Sequence, residues 1–291
     1  MAGNRLEVWD YVDLVLLRLA KIGRRKLEDT ETPEQFYNDF FNENDVQVMS
    51  SGGDLRRHYR GEVLRAAARS RMPVEATVVD VGCGTGDNLR YILRDNAQFF
   101  GVEYAEETAR IAQRLLGQQA HVQSASATAI PFPDQHFDLA LCIEVLEHVQ
   151  DDETALSEIA RVLRSGGSLI LSLPYRHWFP SYSRLMGHIR HYTRTDVEAM
   201  LARHGLVIAE YLPNFPRWSR FANYCYVISR LYTYVLRTFG IRRSPVEVCL
   251  PFSRERLINK LFSCIEPIRQ REMCSNYSML ETSTFIVALK L

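Results

Sequence analysis

Thr77-Val-Val-Asp-Val-Gly-Cys-Gly-Thr-Gly86 is a short β-branched run that stops on three glycines in five residues. β-Branched side chains favour the extended chain, so residues 77–81 read as a strand, and helical spacing resumes over Asn88–Leu93. Glycines between a strand and a helix let a backbone approach a ligand closely and present amide N–H groups to it. The strand places Asp80 at its end, and Phe99-Phe-Gly-Val-Glu103 is the next strand, ending on a carboxylate 21 residues after Gly82. A carboxylate there is placed to accept both hydroxyls of a ribose. A dinucleotide fingerprint would need its third glycine where Asp87 stands, and a P-loop would need Gly-Lys-Ser/Thr, which this stretch lacks.

Outward from this turn, strands and helices alternate. A helix is expected through Ala109–Leu116, a strand at Phe137–Cys142, helices around Glu144–His148 and Thr154–Leu163, and a strand at Ser168–Leu173 opened by the Gly166-Gly167 turn. A helix at Thr195–His204 and a strand at Leu206–Tyr211 follow, and Thr284–Leu291 is a last strand. Such alternation predicts a parallel sheet covered on both faces. About 70 residues separate the last two strands, too many for a connecting loop, so 213–283 reads as a helical cap or lid inserted at the sheet edge. Upstream, 6–22 has the spacing of an amphipathic helix (Val8, Val12, Val15, Leu19, Ile22), and a helix from about His58 carries Tyr59, Val63, Leu64 and Ala67 toward Pro73.

The ordered motifs resemble those of the class I S-adenosylmethionine-dependent methyltransferases. Val78–Gly86 is similar to the family's first motif, Gly101-Val-Glu103 to its ribose-binding strand end, and Ile130-Pro-Phe-Pro-Asp-Gln-His-Phe-Asp138 and Cys142-Ile-Glu-Val-Leu-Glu-His148 to the segments around its fourth strand. Arg161-Val-Leu-Arg-Ser-Gly-Gly167 is similar to the turn before the fifth. The resemblance implies an α/β fold, a doubly wound seven-stranded Rossmann-like sheet, with a helical N-terminal cap (1–72), the core (73–212), the cap insertion (213–283) and a final core strand (284–291). It implies that Asp80 and the backbone of Gly82, Cys83, Gly84 and Gly86 hold the methionine part of S-adenosylmethionine and that Glu103 holds the ribose. Tyr104 would lie against the adenine, and Cys142 would line the methionine side through its backbone. Many relatives place an Asp where this chain has Ser126, between Ala125 and Ala127, so the adenine contact is expected to be weaker or made by backbone at Ser126 and Ala127.

For the methyl acceptor, candidate proton-accepting groups follow the fourth strand and lie in Gly187-His-Ile-Arg-His-Tyr192. Removing a hydroxyl proton is the chemistry expected of a base there, and the candidates are His148, His188, His191 and Glu144. Glu144, Glu147 and His148, spaced i, i+3 and i+4, would share one face of a helix. Two carboxylates and an imidazole suit a divalent ion, with His188 or His191 as a fourth ligand. Ubiquinone-pathway O-methyltransferases carry a similar Glu-x-x-Glu-His, which implies the same metal; plain base or orienting roles for the histidines stand beside that reading. Arg190 is expected to pair with Glu147 or with an anionic acceptor, a simple structural ion pair being the alternative. By family analogy, Tyr37, His58 and Tyr59 also reach the pocket.

Charge and composition narrow the partners. With 35 Lys+Arg against 35 Asp+Glu, binding of nucleic acid through bulk charge is disfavoured. Between Asn214 and Arg243, however, stand six arginines and no acid, among Trp218, Phe221, Tyr224, Tyr226, Tyr232 and Tyr234. That stretch suits a membrane surface or an amphiphilic anionic substrate, and equally a lid packed on the core with its arginines in water. Six scattered cysteines without a CxxC pair fit neither a disulfide framework nor a thiolate zinc site. No early stretch has signal-peptide character, because Asp10 and Asp13 interrupt the only apolar one. A cytoplasmic enzyme, with the basic stretch suited to peripheral membrane contact, O-methylating a small or amphiphilic metabolite, is the expectation; C- or N-methylation of an isoprenoid or amine, or methylation of RNA, is the alternative.

Overall fold

The structure, a computed structural model, describes residues 55–174, 188–213 and 284–291. Its elements are α1 (Leu55–Arg69), β1 (Thr77–Val81), α2 (Asp87–Ile92), β2 (Gln98–Glu103), α3 (Glu106–Leu116), β3 (His121–Ser124), β4 (Phe137–Ile143), α4 (Asp152–Val162), β5 (Leu163–Leu173), α5 (Arg194–Arg203), β6 (Leu206–Pro213) and β7 (Thr284–Lys290). The strands form one sheet in the order β3-β2-β1-β4-β5-β7-β6. The seven-stranded expectation holds. The expected N-terminal helix at 6–22, Tyr37 and the cap at 214–283 lie outside the described residues, as do the side chains of His58 and Tyr59.

The central strands are apolar on both faces because helices cover both. Val79 and Val81 of β1 face a core that contains Leu156, Ile159, Val197 and Leu201 from α4 and α5. Val78 faces the other core, with Val63 and Leu64 of α1, Leu89 of α2 and Ala112 and Leu116 of α3. Burial on both faces is why strands such as β4, buried at six of seven positions, read as continuous hydrophobic runs instead of alternating ones. Asp80 points to the same face as Val78 by the period of the strand.

Two expectations change. The sheet is not wholly parallel: β7 runs antiparallel to both β5 and β6, a direction that apolar patterning does not encode. And β3 went unrecognised in the sequence because only Val122 of its four residues is apolar and buried. Gln113 secures it from α3, accepting from the Val122 N–H at 2.8 Å and donating to the carbonyls of Gly117 and Ala120.

The winding reverses between β1 and β4, the two strands at which ligands enter open α/β sheets, outside the carboxyl ends. Pro213 and Thr284 are register partners. The undescribed insertion therefore leaves and rejoins the sheet at the carboxyl end of β6, on the ligand-bearing side.

Candidate functional site

The turn after β1 is built by backbone bonds that only glycines permit at this curvature. Gly82, Gly84 and Gly86 all have positive φ, at 73°, 54° and 83°, where an L side chain is strained. The N–H groups of Gly82 and Cys83 both donate to the Val102 carbonyl, at 2.7 and 3.0 Å. A Cβ at Gly82 would sit 2.5 Å from Cγ2 of Val145, so the turn also touches the loop after β4. Cys83 and Cys142 are buried thiols, and burial pushes both thiols well above the usual range. They act here as packing groups, Cys83 filling the space beside Gly101.

Glu103 closes the cradle. Its Oε2 accepts from the Gly84 N–H at 2.9 Å and its Oε1 from the Ala105 N–H at 3.1 Å. Both oxygens keep a second lone pair, so the carboxylate is oriented but not saturated. Asp80 is fully buried, and neither of its oxygens makes a hydrogen bond of good geometry. Burial raises its pKa to about 8; the Asn88 amide and the Arg60 guanidinium oppose the rise, and Glu103 and Asp87 add to it. A buried acid so weakly paired is costly to ionise, and a cationic ligand group would relieve it.

Tyr104 stands 46% exposed immediately after Glu103, available to a ring. Ser126 is engaged locally: its hydroxyl lies 2.7 Å from that of Thr128 and accepts the Thr128 N–H. It caps a turn, and Ala127 packs on the core beside it.

The acceptor side departs from the expected helix. Glu144 has φ 57°, a left-handed conformation unusual for its residue type, and only Leu146–His148 form a single 3₁₀ turn. The i, i+3, i+4 face therefore does not exist. Glu144 is turned to Ser172, whose Oγ donates to it at 2.5 Å, and to Arg60 at 3.6 Å. Glu147 is fully buried with no hydrogen-bond partner on either oxygen, and its nearer oxygen lies 3.8 Å from His148 Nε2. Burial, then repulsion from Glu144, holds it well above the usual carboxylate range. The His148 and His188 rings meet edge to face with centroids 4.8 Å apart, and His188 Nδ1 lies 3.4 Å from His191 Nε2. One ligand atom each from Glu147, His148 and His188 lies within 4.8 Å of the others. Three of the four expected metal-ligating residues thus come together, and Glu144 stands apart. Arg190 pairs with Asp152, not with Glu147.

Sequence reasoning missed Arg60. It lies over the Phe285 ring at 5.6 Å, pairs with Glu144 and acts electrostatically on both Asp80 and Glu147. Its helix is drawn close because Gly61 packs on the Tyr91 ring and Arg65 Nε donates to the Tyr91 carbonyl at 2.8 Å. No spacing in the sequence signals this, since Arg60 and its partners lie on four separate segments. The motif around 130–138 is held by Arg161, which donates to the carbonyls of Ile130 and Phe132 and pairs with Glu158 and Asp134.

A glycine cradle, a buried acid and a second carboxylate at the ends of β1 and β2, at the switch point of a doubly wound sheet, define a Rossmann-like domain. Residues 79–171 match the family described as methyltransferase domain, and the core is a class I S-adenosylmethionine-dependent methyltransferase domain. Among relatives, O-methyltransferase cnsE of Penicillium expansum is 38% identical over 101 residues, 33% of this chain and 37% of its own length. Ajmaline N-methyltransferase of Rauvolfia serpentina is 36% identical over 115 residues, 37% of this chain and 40% of its own length. The matched stretch therefore spans well under half of these relatives. In fold, the chain is similar to the crystal structure of the [4+2]-cyclase SpnF, with TM-score 0.54 and 19% identity over 79% of this chain and 80% of that one. No helix among the described residues is long and apolar enough to cross a membrane.

Proposed function

We propose that this chain transfers a methyl group from S-adenosylmethionine to a hydroxyl of a small or amphiphilic metabolite. The observation that carries the donor half is Asp80, a fully buried acid with no hydrogen bond of good geometry, set beside Glu103, which is oriented by Gly84 and Ala105. These groups fit the donor. Asp80 would take its ammonium, Glu103 its ribose hydroxyls, and the backbone of Gly82–Gly86 and Cys142 would line the methionine side. Tyr104 has the exposure to cover the adenine, with Ser126 and Ala127 at its edge. The donor supplies a methyl group on a sulfonium, open to in-line displacement.

The acceptor half rests on the cluster of His148, His188 and His191 around Glu147. Imidazoles gathered beside a buried carboxyl group are placed to take a proton from an acceptor hydroxyl. Glu147, His148 and His188 are also a donor set of the kind that holds a divalent ion, which would lower the pKa of a bound hydroxyl. The relatives named as O-methyltransferases support the choice of oxygen, and the N-methyltransferase match supports amine transfer as the second reading. The segment with six arginines joins the sheet at the same edge through Pro213 and Thr284, which supports an amphiphilic or anionic acceptor, met in solution or at a membrane surface.

Titration of the purified chain with S-adenosylhomocysteine by calorimetry tests the donor half, and saturable binding is expected. Labelled donor with a panel of phenols, lipid-linked phenols and amines, with and without chelator, then tests the acceptor half. No nucleotide binding would overturn the proposal. Methylation of amines alone would replace oxygen by nitrogen, and turnover abolished by chelator would assign Glu147, His148 and His188 to a metal.

A further inference from the structure

The histidines of the acceptor side come from two segments, and the bonds that join those segments converge on one carboxylate. Asp152 is 8% exposed, in the first turn of α4. Its Oδ2 accepts from the buried Tyr192 hydroxyl at 2.7 Å, and its Oδ1 pairs with Arg190. Arg190 also donates to the Gln150 carbonyl at 2.6 Å, and the Ile189 N–H donates to the Glu147 carbonyl at 2.9 Å. Residues 189–192 are thereby laid along 147–152, and the neighbouring His188 is brought against His148.

These bonds are not needed to start α5. Thr193 and Asp196 form a reciprocal capping box there, and Val197, Met200 and Leu201 bury the helix in the core. What Asp152 adds is the position of the stretch before the cap, which carries His188 and His191.

We infer that Asp152 and Tyr192 are positioning residues that set His188 and His191 against His148 for proton removal from the acceptor. This rests on the reading of the histidines proposed above. Each contact spans about 40 residues of sequence (|i−j| is 40 for Tyr192 to Asp152), so only the folded chain creates it. A misplacement of about 1 Å at a reacting group costs on the order of a hundredfold in rate.

The test compares Asp152→Asn, Tyr192→Phe and His188→Ala with the wild type, using labelled donor and whichever phenol of the panel turns over. Asp152→Asn and Tyr192→Phe should lower kcat by about tenfold to a hundredfold, while S-adenosylhomocysteine binds within about twofold of wild type. Because Asp152 acts through His188 and His191, Asp152→Asn added to His188→Ala should cost less than Asp152→Asn costs in the wild type. In parallel, the proton NMR Overhauser contact between the His148 and His188 rings, present in the wild type, should fade in both variants; this readout needs no acceptor. If His188→Ala turns over like wild type, the reading of the histidines is wrong. If His188→Ala is slow but both positioning variants are fast and retain the ring contact, the inference is wrong. Tyr192→Phe removes a single oxygen and keeps the test decisive should Asp152→Asn fold poorly.

Discussion

Replacing Glu103 by glutamine probes the proposed donor cradle with one atom changed. The carboxylate accepts Gly84 N–H on one oxygen and Ala105 N–H on the other. An amide offers one oxygen and one NH₂, so in either orientation a backbone N–H faces another donor. Leaving that N–H unsatisfied in a buried place costs about 1–3 kcal/mol. An opposing effect exists: burial raises the Glu103 pKa, so the neutral amide is spared the desolvation that the carboxylate suffers. The net loss of ligand-free stability should therefore sit near the lower bound, a fall in Tm of about 2–4 °C. Donor affinity has no such offset. A hydrogen bond from a ribose hydroxyl to a charged acceptor is worth about 1.5–3 kcal/mol, so losing one weakens S-adenosylhomocysteine binding by about 10- to 150-fold. Calorimetry gives the affinity and thermal unfolding gives the stability. Binding by Glu103→Gln within about twofold of wild type would refute the placement of the ribose at this residue.

Two further outcomes follow from the same cradle. Asp80 has a folded-state pKa of about 8 against 3.8 for the ordinary group, so the folded ligand-free protein holds a proton that the unfolded chain has lost between those values. Its contribution to stability then declines as pH rises through that window, and Tm should fall from pH 5 to pH 8. An ammonium bound beside Asp80 would reverse the shift, so binding at pH 7 should release up to one proton, seen as a dependence of calorimetric heat on buffer ionisation enthalpy; heats independent of buffer would count against Asp80 as the ammonium site. Gly82→Ala combines a left-handed φ, at about 1–2 kcal/mol, with a Cβ 2.5 Å from the stiff, β-branched Val145, at about 1–3 kcal/mol. Thermal unfolding should show a loss of several degrees, and an unchanged Tm would mean the turn is looser than it stands here.

Which features could be read from the chain alone depended on the range of the interactions that create them. The run Thr77–Val81, the glycines at 82, 84 and 86, and Glu103 at the end of β2 are set by local conformational preference and by burial on both faces of a central strand. Both leave their mark in consecutive residues, so the glycine cradle is legible. The segment after β4 was misread for a related reason: Glu144 to His148 has helical spacing, but the left-handed backbone at Glu144 answers to tertiary bonds with Ser172 and Arg60. β3 offered one buried apolar side chain, too little pattern to detect.

By itself, then, the sequence determined the layered α/β class, the glycine turn after β1, and the carboxylates at the ends of β1 and β2, because propensity and hydrophobic period act over a few residues. Tertiary structure alone decided that β7 runs antiparallel between β5 and β6, that Arg60 faces Asp80, Glu144 and Glu147, and that Asp152 ties His188 to His148. Those arrangements join residues tens to hundreds of positions apart, and the packing of the whole sheet and its helices, not any local pattern, brings them within reach.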